Sequence, residues 1–373
     1  MKKTGILLAA MTLGFCACVN NDVNPVENDK DLEITYTLSP VKVSTRANTT
    51  AFDSNETFGS SAYLLAKGKK WETNSSESSI FIDQEKISYD KDEKKWKAWG
   101  SGKSYYWRKD GSSLTFLSWH PYEMIENGLS ISTTTGDFAY TGWTMENTAG
   151  YGYTYDETNS TFVRNTTDGS VDLLLAKTAD KTANDSPNGV RTDFVHQLCN
   201  VRVYASLLDD PGEKKYKITK AELLNVYTVA DLAKAATTEV KTGVWDNYSE
   251  KANYTYEPTT TIELEAPTVD GDKTIPIEKV IFPQTLMLPQ SVLTTSTASP
   301  SVCIKVTYIN EDDEELTVTG PLASNAVTHL TAWQPGKTIA YHIYIYSKEE
   351  YIEFDASTEE WKDGDETDII VES

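Results

Sequence analysis

Short runs of alternating apolar and polar residues, separated by turn-forming clusters, make up most of the chain after residue 47. A period of two residues is typical of β-strands with one buried face. A helical period is almost absent, and only the Ala-rich residues 229–237 predict a short helix. Roughly seven strands in each half, at this spacing, predict an all-β protein with two antiparallel β-sandwich domains in series.

The boundary between the two predicted domains falls in a polar stretch at residues 177–191, which is the best candidate for a linker. It contains a cluster of Asn, Asp, Ser, Pro and Gly at residues 184–189, and these residue types favour turns. We therefore expect an N-terminal β-sandwich over residues 47–188 and a C-terminal β-sandwich over residues 189–373.

The first 17 residues, 1–17, are typical of a lipoprotein signal peptide. Two lysines precede an apolar run at residues 5–15, which is too short to span a bilayer as a helix. Ala17 stands directly before Cys18, and the enzymes that add lipid need a small residue before the cysteine that they acylate. We expect lipid on Cys18, whereas Cys16 leaves with the signal peptide.

Residues 18–46 are expected to form a lipidated tether followed by a removable strand. A polar stretch rich in Asn and Asp leads into the alternating residues 32–38. The segment ends at Arg46-Ala47, a basic site in polar surroundings that a trypsin-like protease could cut. Every second side chain of a strand faces the same side. The side chains expected to point inward are those of Leu32, Ile34, Tyr36 and Leu38.

Composition and charge argue against several kinds of partner. The chain has 373 residues and a formal net charge of −22, whereas a nucleic-acid interface needs a basic surface. The same charge disfavours electrostatic binding to anionic lipids, which leaves acylation as the means of membrane attachment. Two cysteines remain besides those near the N-terminus, Cys199 and Cys303. Two separate buried thiols are favoured, and a disulfide between them is the alternative.

No pattern in the sequence predicts an enzyme. Residues 100–104 resemble the end of a phosphate-binding loop, but Lys97 stands where that motif requires a glycine. The four histidines are scattered without the spacing of metal ligands. The acidic residues at 363–368 lack most ligand positions of a calcium loop. We expect no catalytic residue, no metal site and no cofactor.

Aromatic residues are concentrated in the first half of the chain. Trp107 and Trp119 lie in alternating runs, which favours packing inside a sandwich. The aromatics between residues 142 and 156 stand among glycines without alternation, and aromatic faces can stack on sugar rings. The candidate ligand-binding residues in this loop are Trp143, Tyr151, Tyr153 and Tyr155.

Several motifs, spread over nearly the whole chain, resemble the fimbrillins of Bacteroidota. They include Phe15-Cys16-Ala17-Cys18, which resembles a bacterial lipobox, followed by Ser44-Thr45-Arg46-Ala47, Tyr105-Tyr106-Trp107, Phe194-Val195-His196-Gln197-Leu198, Phe282-Pro283-Gln284 and Trp333-Gln334-Pro335-Gly336. The resemblance implies a type V pilin, which is a lipoprotein with two transthyretin-like β-sandwich domains. Such proteins are carried to the outer membrane and cut after an arginine. The resemblance does not separate stalk, tip and anchor subunits.

The pattern and the resemblance together lead to a hypothesis of assembly by strand exchange. Cleavage at Arg46 would free residues 32–43 and expose a groove with unpaired backbone groups, a state that favours strand addition. Another fimbrial subunit would refill the groove with residues 351–371, which could instead be an ordinary last strand. The apolar residues of this candidate donor are Ile352, Phe354, Ile369 and Val371.

Two alternatives share the predicted fold. A tip adhesin would use the loop at residues 142–156 to hold a glycan or a host protein. A surface lipoprotein that binds glycans or host proteins without being cleaved would keep Cys18 and Arg46 on one polypeptide. For a fimbrial subunit, we expect a lipid-anchored precursor at the outer membrane and a mature protein in a fimbria at the cell surface.

Overall fold

The computed structural model describes residues 32–38, 54–98, 102–156, 161–165, 169–212, 215–233, 243–271, 273–293, 301–310, 312–322, 330–346 and 351–360. The predicted signal peptide, Cys18, the Arg46-Ala47 site and the pair Ile369 and Val371 lie outside these ranges. Ile352 and Phe354 are described by their backbone alone.

Nearly all regular structure among the described residues is β, which confirms the predicted all-β class. The strands of the first half are β1 (Tyr36–Leu38), β2 (Thr57–Leu65), β3 (Ser79–Asp90), β4 (Lys95–Ala98), β5 (Ser113–His120), β6 (Ser130–Ile131), β7 (Phe138–Thr144), β8 (Tyr153–Asp156), β9 (Thr161–Arg164), β10 (Leu174–Lys181), β11 (Val190–Thr192) and β12 (Val195–His196). The strands of the second half are β13 (Cys199–Leu207), β14 (Tyr216–Ala233), β15 (Val244–Tyr256), β16 (Ile262–Leu264), β17 (Thr268–Asp270), β18 (Lys273–Ile275), β19 (Lys279–Met287), β20 (Cys303–Ile309), β21 (Glu315–Pro321), β22 (Lys337–Tyr346) and β23 (Tyr351–Glu360). The described helices are short, namely α1 (Trp71–Asn74) and the 3₁₀ turns Ser75–Glu77, Tyr122–Ile125 and Ala183–Asp185.

The first sheet has eight strands in the order β11-β1-β4-β3-β2-β5-β10-β12. It curls so that β10 and β11, which stand near its opposite ends, lie side by side. Thr178 Oγ1 on β10 donates a hydrogen bond to the carbonyl oxygen of Arg191 on β11, at 2.7 Å. One face of the curled sheet therefore encloses a core. This inner core consists of Ile34, Tyr36, Phe58, Ala62, Ile82, Ile87, Trp96, Trp107, Leu114, Phe116, Leu174, Ala176, Val190 and Phe194.

The second half forms a β-sandwich. A four-stranded sheet, β19-β13-β22-β23, packs against a larger sheet with the path β21-β20-β14-β7-β6, and β15 and β16 also pair with β14. Alternate side chains of each sheet fill the space between the two, as in other sandwiches whose sheets pack face to face. The buried residues there include Val201, Val203, Ile218, Leu223, Ile304, Val306, Ile339, Tyr341 and Ile343. The transthyretin-like form of the two predicted domains stays a prediction.

A short helix was predicted at residues 229–237, of which the structure describes residues 229–233. For these residues the prediction is wrong. This part belongs to β14, a strand of 18 residues that pairs with both β15 and β7. Ala230 and Leu232 are buried there, on one face of the strand. Hydrogen bonds to two neighbouring strands and burial of this face outweigh the helix propensity of the alanines, because propensity is a weak local preference.

The predicted linker at residues 177–191 is also wrong at both of its ends. β10 continues to Lys181, and β11 and β12 return the chain to the first sheet at residues 190–196. Strand pairing also crosses between the halves, because β7 joins β14. A third group of buried residues bridges the two halves, and it includes Trp119, Leu175, Phe138, Trp143, Ala230, Leu232, Trp245 and Leu286. The domain boundary between residues 188 and 189 stays a prediction.

Candidate assembly groove and aromatic cavity

Residues 32–38 lie inside the first sheet and not at its edge. β1 pairs in parallel with β11, with Tyr36 opposite Val190, and antiparallel to β4, with Tyr36 opposite Trp96. Before β1 begins, the Ile34 amide donates to the carbonyl oxygen of Tyr105 at 2.7 Å, and the Trp107 amide donates to that of Leu32 at 2.9 Å. The segment is therefore hydrogen-bonded on both sides.

At the centre of this segment, inward and outward side chains alternate as expected. Ile34 and Tyr36 are 3% and 4% exposed and belong to the inner core. The Tyr36 ring lies edge-on to Phe116, with ring centroids 5.8 Å apart. Burial raises the pKa of the Tyr36 hydroxyl above its ordinary value. Leu38 is partly buried against the same core.

The inward direction predicted for Leu32 is wrong. Its side chain is 48% exposed, although its carbonyl oxygen accepts the bond from Trp107. Leu32 precedes β1, at the start of the described segment, where its backbone pairs with the loop before β5. Ile34 and Tyr36 thus carry most of the apolar contact that this segment makes.

We call the space that residues 32–38 fill the β1 groove. Its walls are β11 on one side and, on the other, β4 together with residues 105–107. If the segment left, amide and carbonyl groups of both walls would lose their partners, and the pockets of Ile34 and Tyr36 would open to water. An incoming strand could form hydrogen bonds with these unpaired backbone groups and place apolar side chains in the two pockets.

Opposite the core, the outward face of the segment contacts the turn that links the 3₁₀ turn Ala183–Asp185 to β11. Thr37 Oγ1 donates to the carbonyl oxygen of Asn188 at 2.6 Å, and the Val190 amide donates to that of Thr35 at 2.7 Å. Gly189, with φ at +106°, lies between these two contacts, and a Cβ atom on it would approach both threonines. The wall formed by β11 and this turn was missed in the sequence, where only the Asn188-Gly189 turn signal could have pointed to it.

The proposed donor segment is a strand of its own sheet as far as residue 360. β23 pairs antiparallel with β22 from Tyr351 opposite Tyr346 to Glu360 opposite Lys337, at the edge of the four-stranded sheet. This arrangement is the ordinary last strand considered as the alternative. The donor role of Ile352, Phe354, Ile369 and Val371 stays a prediction.

The predicted ligand loop at residues 142–156 contains the end of β7 and the whole of β8. Trp143 and Tyr153 are 5% and 8% exposed. Trp143 Nε1 lies 3.1 Å from Met145 Sδ, and the Tyr153 hydroxyl accepts a hydrogen bond from Asn200 Nδ2 at 3.0 Å. Tyr155 packs on Phe162, with ring centroids 4.8 Å apart. These three side chains serve mainly as packing, as Trp107 and Trp119 do with 6% and 0% exposure.

Two of the four predicted ligand residues meet at one surface cavity of about 360 Å³. Trp143 lies on β7, and Tyr151 lies in the turn before β8. The half-buried Tyr151 hydroxyl donates to the carbonyl oxygen of Gly169 at 3.3 Å. Tyr153 and Tyr155 do not line this cavity. Its lining residues are Met124, Asn127, Tyr140, Trp143, Thr144, Met145, Tyr151 and Val171.

Both described cysteines are free thiols, so two separate thiols are present and not the disulfide. Cys199 is buried as expected, whereas Cys303 is only partly buried. The Cys199 thiol donates to the carbonyl oxygen of Met287 at 3.3 Å, and burial raises its pKa. Burial also raises the pKa of the Cys303 thiol. Within the described ranges, no cluster of three or more His, Cys, Asp or Glu side chains could hold a metal ion. Within the same ranges, no helix is long and apolar enough to cross a membrane.

The fold is similar to that of a solved fimbrial protein. A fimbrial protein from Bacteroides vulgatus has a similar structure, with a TM-score of 0.53 and 16% sequence identity, over 88% of this chain and 99% of that chain. A protein described as a cell adhesion protein, from Bacteroides uniformis, gives a TM-score of 0.47 and 15% identity, over 90% of this chain and 99% of that chain. No match was found among curated proteins.

The family follows from the sequence itself. A sequence model that describes the fimbrillin-like family matches residues 45–361, which is most of the chain. The protein belongs to the fimbrillin-like family, and the resemblance seen in its motifs is confirmed.

Proposed function

We propose that the protein is a structural or adhesive subunit of a surface fimbria, whose β1 groove is closed by residues 32–38 until the chain is cut after Arg46. The observation that carries the proposal is the position of this segment. It lies between two strands, yet it belongs to the N-terminal end of the chain, before the predicted cleavage site. A segment in that position can leave after one cut without unthreading the rest of the sheet.

The free energy gained by burying apolar side chains keeps residues 32–38 in the β1 groove before the cut. The same gain favours insertion of another strand after the cut. Ile34 and Tyr36 each gain roughly 1.5–3 kcal/mol from burial, before the entropy of ordering the strand is subtracted. An outside strand cannot compete with a segment that is covalently attached, because the attached segment has a high effective concentration. After cleavage that advantage is lost, and a strand from another subunit can take its place.

Two further parts of the proposal concern the ends of the chain. Lipid on Cys18 anchors the precursor to the outer membrane, and cleavage at Arg46-Ala47 separates the subunit from that anchor. Residues 351–371 are the chain's own candidate donor. Fimbrial subunits are therefore the proposed partners, and neither a cofactor nor nucleic acid has a place in this mechanism.

Replacing Arg46 by Ala tests the proposal. The soluble chain that begins at Val19 avoids the need for lipid and can be treated with a trypsin-like protease under native conditions. We expect the Arg46→Ala protein to keep its N-terminal segment and to stay monomeric, whereas the unchanged chain is shortened and forms oligomers. Mass spectrometry locates the new N-terminus, and size-exclusion chromatography measures assembly.

Arg108→Ala is a matched control, because Arg108 is an exposed arginine that pairs with the nearby Asp110 at 2.7 Å. This variant should be cut and assembled like the unchanged chain. If Arg46→Ala forms oligomers as readily as the control, strand exchange triggered at Arg46 is wrong, and an uncleaved surface lipoprotein becomes the better reading.

A second candidate function is adhesion by a tip subunit. The cavity lined by Trp143 and Tyr151 favours it, because the half-buried Tyr151 ring at an open cavity offers a surface on which a sugar ring of a glycan, or an apolar side chain of a host protein, can stack. This role is compatible with strand exchange, since a tip subunit also has to be joined to the fimbria.

A further inference from the structure

The turn over the outward face of β1 leaves little room. A Cβ atom on Gly189 would lie 2.9 Å from Thr37 Oγ1 and 3.0 Å from Thr35 Oγ1. The turn is itself held in place, because the Gly189 amide donates to the carbonyl oxygen of Ser186 at 3.1 Å. Side chains at positions 35 and 37 are therefore in contact with backbone, not only with solvent.

The chemistry at this contact favours a hydroxyl group. Thr37 Oγ1 donates to the carbonyl oxygen of Asn188, and a backbone carbonyl can only accept. Valine at position 37 would leave that oxygen without this donor. A carboxylate there would bring two acceptors together, which is less favourable still.

We propose that the β1 groove is selective for strands that place apolar side chains at the positions of Ile34 and Tyr36 and threonine or serine at the positions of Thr35 and Thr37. This inference rests on the proposed function, because it concerns the strand that refills the groove. The inward positions supply binding energy, and the outward positions distinguish one strand from another.

The chain's own C-terminal segments do not meet this requirement. If Ile352 and Phe354 take the inward positions, Glu353 and Asp355 face the turn. If the strand is shifted by two residues toward the C-terminus, Asp355 takes the position of Thr35 and the small Ala356 takes the inward position of Tyr36. In the opposite shift, Glu350 takes the inward position of Ile34. Residues 369–372, with Ile369 and Val371 inward, place Ile370 and Glu372 outward.

A nearby positive charge does not remove this penalty. Arg191 stands opposite Thr37 in the parallel pair and could attract a carboxylate there. It already pairs with Asp193 at 2.9 Å, and its side chain is 73% exposed. An exposed ion pair contributes only about 0–1 kcal/mol. We therefore assign the groove to a strand from a different fimbrial subunit and not to the C-terminus of a second copy.

The required pattern recurs in described parts of the chain, at residues 129–132 and 316–319, and the second of these provides a natural probe. Residues 315–319 read Glu-Leu-Thr-Val-Thr, and residues 33–37 read Glu-Ile-Thr-Tyr-Thr. The first of these forms most of β21, which is hydrogen-bonded to β20 along its whole length. A synthetic peptide with the β21 sequence can nevertheless report on the groove.

The experiment uses the soluble chain from Val19 with a specific protease site in place of residues 44–47. After the cut, fluorescent peptides are added in excess, and exchange is followed by fluorescence anisotropy and native mass spectrometry. We expect peptide 31–39 and the β21 peptide 314–320 to bind. We expect binding of peptide 31–39 to weaken by about two- to tenfold with Thr35→Val and Thr37→Val, which is the effect of losing roughly one hydrogen bond, and further with Thr35→Glu and Thr37→Glu.

Peptide 350–357 should bind no better than the glutamate-substituted peptide. Peptide 31–39 with Leu32→Ala is the matched control and should bind like the unchanged one, because Leu32 is exposed. If peptide 31–39 binds and the glutamate-substituted peptide and peptide 350–357 bind equally well, the selectivity is wrong while strand exchange stands. If no peptide binds, including the chain's own 31–39, the proposed function itself fails.

Discussion

The ring of Tyr36 lies nearly perpendicular to that of Phe58, with centroids 5.5 Å apart and an interplanar angle of 85°. Edge-to-face pairs of this kind contribute about 0.5–1.5 kcal/mol beyond the area that they bury. The contact joins the N-terminal segment to β2, a strand deep in the first sheet. Tyr36 is thus the main side-chain anchor of the segment that closes the β1 groove.

Tyr36→Ala should destabilise the uncut protein strongly. Removal of a large buried aromatic side chain costs about 3–5 kcal/mol, because it loses burial and leaves a cavity. Urea unfolding measures the free energy. Leu32→Ala, in the same segment but exposed, should change it by less than about 0.5 kcal/mol. Similar losses for the two variants would contradict the assigned roles.

Tyr254→Phe should leave the protein as stable as before or more stable. Tyr254 is fully buried, and its hydroxyl has no hydrogen-bond partner among the residues that the structure describes. An unsatisfied buried polar group costs about 1–3 kcal/mol. Tyr341→Phe is the matched comparison, since its hydroxyl accepts from Trp333 Nε1 at 2.8 Å. That variant should be less stable at neutral pH, because the indole N–H loses its partner.

The same two tyrosines predict sensitivity to alkali. Burial raises the pKa of both Tyr254 and Tyr341 in the folded protein. A raised folded pKa means that their contribution is fully present below the unfolded pKa of about 10 and is lost as the pH rises from there through the folded pKa. Thermal unfolding between pH 9 and 11, taken as a rough working range, should therefore show a smaller decline for each phenylalanine variant than for the unchanged protein. An identical decline would contradict the prediction.

Cys18→Ala should abolish acylation and release the precursor from the membrane fraction. The reason is chemical, because only Cys18 follows a small residue, Ala17. Cys16→Ala serves as the control and should leave anchoring intact. Incorporation of labelled palmitate, with fractionation of the cells, measures both effects. Label that persists on the Cys18→Ala protein would contradict this assignment.

Tyr151→Ala should weaken binding of a glycan at the aromatic cavity by about tenfold, the effect of losing one stacking contact. Tyr155→Ala is the matched control, because Tyr155 belongs to the same predicted loop but does not line the cavity. A glycan array identifies a binder, and titration of both variants measures the change. Equal losses in the two variants would place the ligand elsewhere.

Much of the fold could be predicted from local patterns, and the failures share one cause. The alternation at residues 114–119 correctly predicted a strand with Trp119 buried. The Ala-rich end of β14 and the polar segment around β11 gave the wrong prediction. In both, hydrogen bonds to strands distant in sequence decide the conformation, and the local residues carry little preference.

The aromatic residues show the same limit at the candidate sites. The sequence drew attention to four aromatics between residues 142 and 156, but it could not say which of them share a surface. Trp143 and Tyr151 meet at the cavity only because β7 and the turn before β8 both pack beside Met124 and Val171. Gly59 is a further case, since its lack of a side chain makes room for the ring of Trp119 on the neighbouring strand.

The sequence by itself determined that the protein is all-β, that it belongs with the fimbrillins, and that Ile34 and Tyr36 face a core. These properties follow from composition, motifs and a period of two, all of which are local. Only the tertiary structure decided which strands flank residues 32–38. Thr37 and Asn188 are 151 residues apart, and the hydrogen bond between them joins a hydroxyl to a backbone carbonyl. Every residue carries such a carbonyl, so the sequence cannot indicate the pairing before the chain has folded.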